Sequence, residues 1–389
     1  MNINSMLRII SKKIVLKNNP TFNYPVAKQK KILKSIKQPK NYIERSYAQY
    51  KCQAKLLGKL YVFFASICSL FVLLGKIRIK DDKIQESDSV DAFFPSYGIP
   101  QNIIPEVLRE EFVNWNIVEY YNEEQFTERD KAFFDEIWKN YPFSFLFLLK
   151  CLIKIRMYSA IIQHYHPKAI VVCSEYSYTS SILTAYCEEY NVEHIDIMHG
   201  EKLFDITDSF FAFHRCYVWD EFYVDLFKDL GAKEDQFRIE LPASVIFDEK
   251  NVQKTMDYTY YLCGEDGEVL KKIVDSLIIL SNAGNRVAIR PHPRYSNVGH
   301  VKEYIGENNI EIEATNLIDI ENSVLRTNNA ISLYSTVLFQ AYHNGTKVVI
   351  DNISNPAFFA KLSEVRYIML DYTYVLLQDI LEENNEKIC

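Results

Sequence analysis

The sequence predicts an α/β protein with two Rossmann-like domains, preceded by a basic, mostly helical N-terminal arm. Three observations support this class. Short apolar runs alternate with helical stretches in two separate parts of the chain, which is typical of parallel sheets covered by helices. A stiff, cationic turn follows one of those apolar runs. Basic residues are also concentrated in the first 80 of the 389 residues, which separates an arm from the body.

The composition is that of a globular chain, with 48% hydrophobic and 24% charged residues, and its length is enough for two domains. With 11 Gly and 12 Pro, no long flexible segment is expected. The eight cysteines include no Cys-x-x-Cys and no zinc-like spacing with histidine. We therefore expect buried free thiols in a reducing compartment, and neither a metal site nor a cofactor.

The charge of the arm differs sharply from that of the body. Residues 1–80 hold 17 Lys and Arg and one acid, Glu44, which is a net charge of +16. Since the whole chain carries −7, the remaining residues carry −23. This split predicts a basic arm, residues 1–87, attached to an acidic body. Nucleic acid is not the expected partner, because the body is acidic and contains no recognisable nucleic-acid-binding module.

An uncharged, mostly apolar run of 15 residues, 60–74, lies in this arm between Lys59 and Lys76. It is shorter than the roughly 20 residues of a usual transmembrane helix. Its distance from the start of the chain does not fit a signal peptide, and the basic residues on both sides give no orientation bias. Three interpretations stay open: a helix buried against the body, one lying on an anionic membrane surface, and one crossing the membrane.

The first Rossmann-like domain is predicted over residues 88–250. Its elements alternate as the class requires, and Thr179 or Ser180 can cap the helix of a clear strand–helix–strand unit. The expected strands are 90–94, 169–173, 192–198, 213–219 and 237–241, and the expected helical stretches are 102–166, 179–190 and 221–230.

Residues that follow these strands are the candidates for chemistry, since ligands of open α/β sheets bind beyond the carboxyl ends of the strands. His199 is one of them, and an imidazole pKa near 6.5 suits a general base. Glu201 and Asp205 follow in the same loop and could orient the imidazole or act as the base. Glu175 and Gly98 come after two other strands and are candidates for ligand contacts.

The second Rossmann-like domain is predicted over residues 251–389. One of its strands leads into the turn Arg290-Pro291-His292-Pro293-Arg294, in which two prolines fix φ and remove backbone donors. The turn is therefore stiff, and its two guanidiniums and one imidazole suit a phosphate group. The strands expected here are 258–263, 286–290, 310–313, 329–333 and 347–351, with helices at 269–282, at 334–343 and in the C-terminal tail.

Ser335 and Thr336 stand where a strand gives way to a helix. The unpaired N–H groups and the dipole of a helix start favour an anion, and the hydroxyls add donors. Because this strand shares a sheet with the one before the Arg-Pro-His-Pro-Arg turn, two phosphate-type sites would meet at one edge. Glu265-Asp266-Gly267 is interpreted as a turn onto a helix rather than as a catalytic acid pair.

Three motifs, in this order, resemble those of GT-B-type bacterial surface-polysaccharide transferases: Met198-His199-Gly200, the Arg-Pro-His-Pro-Arg turn, and Tyr334-Ser335-Thr336 before Asn344-Gly345. Two groups share this plan. Sialyltransferases and polysialyltransferases have a His-Pro motif and a Ser/Thr pair, and teichoic-acid polyol-phosphate transferases have His-Gly, Arg-x-His-Pro and a Ser pair. The resemblance covers about residues 88–380. His-Gly at 199–200 departs from the acidic motif of the sialyltransferases.

The resemblance implies a GT-B fold, with the two domains facing a cleft, and a metal-independent glycosyltransferase. The enzyme would move a sugar from a nucleotide-activated donor, such as a CMP-sugar, to a bacterial surface glycan or lipid-linked acceptor. Its donor-binding residues would be Arg290, His292, Arg294, Ser335 and Thr336, its catalytic residues His199, Glu201 and Asp205, and its acceptor-binding residues Glu175 and Gly98.

The arm would place such an enzyme in the cytoplasm, at the inner face of the membrane, with residues 1–80 on the anionic surface. Two alternatives remain open. One is a polyol-phosphate transferase using a CDP-polyol. The other is a non-catalytic protein that binds nucleotide sugars within a polysaccharide locus.

Overall fold

The computed structural model describes most of the chain, namely residues 24–79, 88–248 and 252–388, with 385–388 as backbone only. The chain separates into two compact units. The N-terminal domain contains the described residues up to His199 together with Phe204–Pro242, and the C-terminal domain contains Gly200–Leu203 together with the chain from Ala243. The short segment Gly200–Leu203 therefore belongs to the C-terminal domain.

The N-terminal domain is built on a six-stranded parallel sheet. Its strands are β1 Ala92–Pro95, β2 Trp115–Val118, β3 Ala169–Val172, β4 Glu193–Ile197, β5 Arg215–Val218 and β6 Phe237–Ile239. Their order in the sheet is β2-β1-β3-β4-β5-β6. The chain runs from β1 outward to β2 and then crosses to the other side of β1, so the topological switch point lies between β1 and β3. Strand β2 falls in a stretch that was predicted to be mostly helical.

Eight helices of the described chain belong to this domain. They are α1 Val26–Lys34, α2 Tyr42–Leu57, α3 Lys59–Lys76, α4 Glu106–Glu111, α5 Glu128–Asn140, α6 Phe145–Tyr165, α7 Ser180–Glu189 and α8 Glu221–Asp229, with 3-10 turns at Gln101–Ile103, Ile206–Asp208 and Glu234–Gln236. Thr127 and Asp130 form a capping box at the start of α5. Most of α6 is buried, as expected for a helix that is apolar on nearly all sides.

Buried polar side chains fasten α2 to the rest of the N-terminal domain. Gln49 is fully buried, and its Nε2 donates to the main-chain oxygens of Glu175 and Thr207, each at 2.7 Å. Ser46 is also fully buried, and its Oγ accepts the N–H of Ile182 at 2.8 Å. The predicted arm is therefore helical where the structure describes it, and α2 is an integral part of the domain.

Helix α3 contains the apolar run 60–74, and the structure disagrees with a helix buried against the body. It is long and apolar enough to cross a membrane, with a mean hydropathy of 1.6, and only 11% of it is buried. It packs along α6 with Ser69 and Leu73 buried. By contrast, Leu60 is 77% and Phe71 70% exposed. A long apolar face is thus uncovered in the part of the chain that the structure describes.

The C-terminal domain has a second six-stranded parallel sheet. Its strands are β7 Met256–Tyr261, β8 Val287–Arg290, β9 Ile310–Ile312, β10 Thr327–Ser332, β11 Lys347–Ile350 and β12 Val375–Leu376. Their order is β12-β11-β10-β7-β8-β9, so the switch point lies between β7 and β10. The two parallel sheets interleaved with helices confirm the prediction of two Rossmann-like domains.

The helices of the C-terminal domain cover both faces of this sheet. They are α9 Gly267–Asn282, α10 Val298–Ile305, α11 Ile320–Leu325, α12 Thr336–His343, α13 Pro356–Leu362 and α14 Leu377–Ile388, with a 3-10 turn at Ile368–Leu370. Helices α9 and α14 contribute Leu277 and Leu377 to one buried cluster with the strand residue Ile289. Strands β8 and β11 are almost entirely buried, as expected for a parallel sheet between helices.

Candidate functional site

Three turns meet at the carboxyl edge of the C-terminal sheet, after β7, β8 and β10. Cys263, after β7, donates its Sγ–H to the main-chain oxygen of Tyr334, after β10, at 2.6 Å. Gly264 has a φ of +112°, and a Cβ placed on it would lie 2.8 Å from Cβ of Tyr295, in the turn after β8. Only glycine fits this close approach. The structure therefore brings the predicted phosphate-type turns together at the switch point.

His292 is held in a defined orientation within the turn after β8. Its ring stacks on Tyr295, with 4.5 Å between ring centroids. Its Nδ1 accepts the main-chain N–H of Arg294 at 3.1 Å, so the hydrogen of the neutral ring lies on Nε2. Burial, with help from the positive charge of Arg294, lowers the pKa of His292. At neutral pH the imidazole thus offers an Nε2–H donor.

Arg290 was also predicted to bind a ligand, but it is not exposed. Its side chain is buried, and Nη1 donates to Oε2 of Glu313 at 2.9 Å. Glu313 is fully buried at its side chain and also accepts from Arg326 at 2.7 Å and from the hydroxyl of Ser323 at 2.6 Å. The guanidinium is therefore engaged inside the domain and anchors the end of β8. Arg294, by contrast, is exposed.

Ser335 and Thr336 form the start of α12 as predicted. Ser335 is the N-cap, and its Oγ accepts the N–H of Val337 at 3.2 Å. The hydroxyl of Tyr367 fixes this start, because it accepts from the N–H of Ser335 at 3.1 Å and donates to its carbonyl at 3.0 Å. Oγ1 of Thr336 accepts the N–H of Glu201 at 3.0 Å. The sequence analysis predicted neither the hydrogen bonds of Tyr367 to Ser335 nor the contact of Thr336 with the loop after β4.

Acidic groups also border this edge, and they limit where an anion can bind. The carboxylate of Glu265 accepts the N–H of Cys263 at 2.6 Å, and burial raises its pKa. Asp266 caps α9 and pairs with His300 at 2.7 Å, which lowers the pKa of the carboxyl. Both acids therefore serve the turn onto a helix, as interpreted from the sequence.

His199 follows β4 at the carboxyl edge of the N-terminal sheet. Its Nδ1 is buried and has no hydrogen-bond partner among the described residues. Burial lowers its pKa, so the ring is neutral at pH 7 and can accept a proton. Asp205 instead caps a 3-10 turn, accepting the N–H of Thr207 at 2.8 Å. Glu201 lies in the segment that belongs to the C-terminal domain. Neither acid is bonded to Nδ1 of His199.

A cavity of about 220 Å³ lies at the switch point between β1 and β3. On the β1 side, Tyr97 and Ile99 line it, and Gly98 stands between them. Tyr97 and Gly98 have successive positive φ values of 50° and 77°, so Gly98 makes the turn that presents its two neighbours. The predicted role of Gly98 as a site of close ligand approach is not tested.

On the β3 side of this cavity, the predicted residue Glu175 lies behind the wall. Its side chain is almost fully buried, and its main-chain oxygen accepts from Gln49. Its neighbours Ser174 and Tyr176 line the cavity. The structure thus places Glu175 and Gly98 in the same region, while adjacent residues supply the surface that a ligand would meet.

Two lysines line the same cavity, and the sequence analysis did not predict them. Lys150 and Lys154 lie one turn apart on α6. The sequence signal was present, because two cations four residues apart, followed by Arg156, interrupt a helix that is otherwise mostly apolar. That helix was interpreted only as a source of core residues. Within the described residues, no cluster of His, Cys, Asp and Glu that could hold a metal ion comes together.

The fold and these two edges define an α/β protein with two Rossmann-like domains, each with a candidate ligand site at the carboxyl edge of its sheet. No protein-family model and no curated protein matches the chain. Solved structures do match it in fold. The UDP-GlcNAc 2-epimerase of Methanocaldococcus jannaschii in complex with UDP-GlcNAc and UDP is 12% identical, with 78% of this chain and 93% of that one covered and a TM-score of 0.45.

Two further solved structures also match the chain. The wall teichoic acid polymerase TagF is 12% identical, with 85% of this chain and 92% of that one covered and a TM-score of 0.43. The glycotransferase of kitacinnamycin is 9% identical, with 78% and 91% covered and a TM-score of 0.42. At these identities and TM-scores, the likeness says nothing about the reaction of this chain.

Proposed function

We propose that this protein is a GT-B-type glycosyltransferase that moves a sugar from a nucleotide-activated donor to a bacterial surface glycan or lipid-linked acceptor. The observation that carries the proposal is that the His292 turn and the residues before α12 both contact the turn after β7, at the carboxyl edge of the C-terminal sheet. A donor phosphate there would meet Nε2–H of His292, the exposed guanidinium of Arg294 and the positive end of a helix dipole.

The chemistry follows from the protonation states. A neutral His199 in the N-terminal domain would take the proton of an acceptor hydroxyl as that oxygen attacks the sugar. The bond from the sugar to the donor phosphate would break, and the phosphate would leave with its added negative charge. His292, Arg294 and the start of α12 would stabilise that charge, so the proposal is a metal-independent reaction. Ser335 would hold the helix start in place.

The nucleotide site gives the first prediction. We expect His292→Ala and Arg294→Ala each to weaken nucleotide binding about tenfold or more, because each removes a donor to phosphate. Thermal shift of the full chain with CMP, CDP, UDP and GDP measures this. A ligand at 100 times its Kd stabilises the protein by about 2.7 kcal/mol, which a shift in Tm detects. The nucleotide with the largest shift identifies the donor class.

Arg286→Ala is the matched control for that prediction. Arg286 is also an exposed arginine of the C-terminal domain, but it precedes β8 and so lies at the amino edge of the sheet, paired with Asp257 at 3.0 Å. It should leave nucleotide binding unchanged. The proposal fails if no nucleotide shifts the Tm of the wild-type protein, or if the control weakens binding as much as the two site variants. Product mass then separates sugar transfer from polyol-phosphate transfer, since only the latter adds phosphorus.

We also propose that α3 holds the protein on the cytoplasmic face of an anionic membrane. Its uncovered apolar face supports this, and so do the basic residues Lys59 and Arg78 at its ends, whereas Lys76 is paired with Glu124 at 3.0 Å. Apolar side chains would insert between lipids while the cations meet anionic headgroups. Lipid-linked acceptors would then be within reach of the N-terminal domain.

The membrane proposal predicts that replacing Phe63, Phe64 and Phe71 together by Ser lowers binding to vesicles about tenfold or more. These rings are 59%, 63% and 70% exposed, and fully burying one phenylalanine contributes about 1.5–3 kcal/mol. Co-sedimentation with vesicles containing phosphatidylglycerol measures the effect. The control replaces Val113 and Phe143 by Ser, which are 84% and 85% exposed elsewhere in the domain. Equal sedimentation of both variants, or none of the wild type, would rule out the anchor.

A further inference from the structure

The cavity at the switch point of the N-terminal sheet has the position and the volume expected of a binding site. It lies where open α/β sheets hold their ligands, beyond the carboxyl ends of β1 and β3. Its volume of about 220 Å³ is several times the ~30 Å³ share of one water molecule. A phosphate or carboxylate could enter together with part of the group that carries it.

Lys150 and Lys154 give this cavity a positive charge. Nζ of Lys150 lies 3.9 Å from the centre of the Tyr178 ring, and Nζ of Lys154 lies 5.8 Å from that of Tyr97. These ring faces are the partners that the structure records for the two ammonium groups, and no ion pair engages either group within residues 24–79, 88–248 and 252–388. Two neighbouring cations are thus compensated by aromatic rings alone.

Holding these two ammonium groups close together in a buried place costs free energy when no anion is bound. Burial and the like charge of Lys154 lower the pKa of Lys150 to about 8, and burial lowers the pKa of Lys154. Both shifts show that the protein disfavours the charged forms at these positions. An anion between the two groups would replace their mutual repulsion by attraction in a partly desolvated site.

The rest of the wall suits an anion carried by a polar group. Ser174, Ser177 and Ser180 line the cavity next to the start of α7 and make this wall polar. Their hydroxyls are bonded locally, since Ser180 donates to the main-chain oxygen of Ser174 at 2.7 Å and Oγ of Ser177 lies 3.0 Å from Oγ1 of Thr179. Two acids lie behind this wall: Glu175, whose side chain is almost fully buried, and Asp196, which accepts the N–H of Ser174 at 2.7 Å. Burial raises the pKa of Asp196 to about 7, so it carries only part of a negative charge at neutral pH.

We propose that this cavity is a binding site for the phosphate or carboxylate group of a small polar ligand, held between Lys150 and Lys154. Anion binding here concerns the N-terminal domain and does not depend on the nucleotide. If the transferase function proposed above holds, the ligand is the acceptor, which would then carry a negative charge next to the hydroxyl that reacts. That assignment rests on the proposed function, whereas anion binding itself does not.

Protection of the lysines from acylation tests the site in the unmodified protein. The full chain, without nucleotide, is treated with an acetylating reagent at constant ionic strength, and each lysine is followed by peptide mass spectrometry. We expect potassium phosphate or glucuronate, but not chloride, to slow the acetylation of Lys150 and Lys154 about fivefold or more. Lys139, exposed on α5, should react at the same rate throughout. Phosphatidic acid in neutral vesicles, as a third arm, shows whether a lipid headgroup is the source of the anion.

Variants supply the second measurement. Lys150→Met and Lys154→Met keep the length of the side chain and remove the charge, and Lys139→Met is the matched control. Calorimetric titration with phosphate and with glucuronate should show at least a tenfold loss of affinity in both site variants and none in the control. The site is refuted if no anion protects the two lysines, or if both site variants bind the anions as the wild type does. Such a failure leaves nucleotide binding by the C-terminal domain untouched, so the two proposals fail separately.

Discussion

Replacing His199 by Ala should lower turnover by about 10²–10⁴-fold while donor nucleotide binding stays within a factor of two, because the proposed function makes this residue the general base and assigns the donor to the other domain. The reason is structural. His199 is kept neutral by burial, and its Nδ1 has no hydrogen-bond partner in the described chain. Steady-state kinetics with acceptor, beside thermal shift with the nucleotide, measures the two quantities separately.

The pH profile gives a sharper form of this prediction. Because burial lowers the pKa of His199, the imidazole stays unprotonated below the ordinary value of about 6.5. The activity of the wild type should therefore persist as pH falls through 6.5, and decline only as pH passes down through the lowered pKa. A decline that begins above 6.5 would exclude His199 as the base.

His164→Ala is the control for the kinetic experiment. His164 lies in the last turn of α6, next to the amino end of β3, where it pairs with Glu123 at 3.3 Å. Its loss should leave turnover unchanged. If His199→Ala retains full turnover, another residue is the base. If the wild-type protein binds nucleotide but turns nothing over, the protein is a binding protein rather than an enzyme.

Replacing Glu313 by Ala should destabilise the C-terminal domain by about 3–5 kcal/mol, since it leaves the buried guanidinium of Arg290 without its counter-ion and removes one of the two carboxylates that pair with Arg326. Glu313 accepts from Arg290, Arg326 and Ser323, and its side chain is fully buried. Hydrogen exchange of peptides from β8 and β10 measures the effect. Tryptophan fluorescence would not, because Trp115, Trp138 and Trp219 all lie in the N-terminal domain.

Glu311→Ala is the matched control on the same strand. Glu311 also pairs with Arg326, at 2.6 Å, but its side chain is 40% exposed. An exposed pair contributes about 0–1 kcal/mol, so exchange in β8 and β10 should change little. Equal effects of the two variants would show that the burial of Glu313 does not determine its contribution to the stability of the domain.

Because Arg290 ends β8, Glu313→Ala should also weaken nucleotide binding by displacing the His292 turn.

The fold was largely predictable because buried parallel strands are short apolar runs with helices between them. Residues 169–173, 286–290 and 347–351 met this pattern, and the structure has strands there. Strand β2 did not, since Trp115-Asn-Ile-Val118 is a short, half-buried edge strand whose apolar run is interrupted by Asn116. The last strand, Val375–Leu376, has two residues and no periodicity to detect.

The candidate site was predictable where it depends on the order of strands, and less so where it depends on side-chain partners. His292 and Ser335 follow two strands of one sheet, as predicted, and the structure places these strands, β8 and β10, on either side of β7. That Arg290 would turn inward to Glu313 depended on a partner 23 residues away, which no local pattern shows. Lys150 and Lys154 were missed because a mostly apolar helix was assigned to the core as a whole.

Helix α2 affects how the N-terminal part of the chain can be manipulated. Deleting residues 1–80 would seem a simple way to make a version that stays off membranes. It would also expose the N–H of Ile182 and the carbonyls of Glu175 and Thr207, which Ser46 and Gln49 now satisfy. Such a truncation should misfold or precipitate, so its behaviour would say nothing about lipids. Point substitutions on the outer face of α3 leave these buried bonds intact.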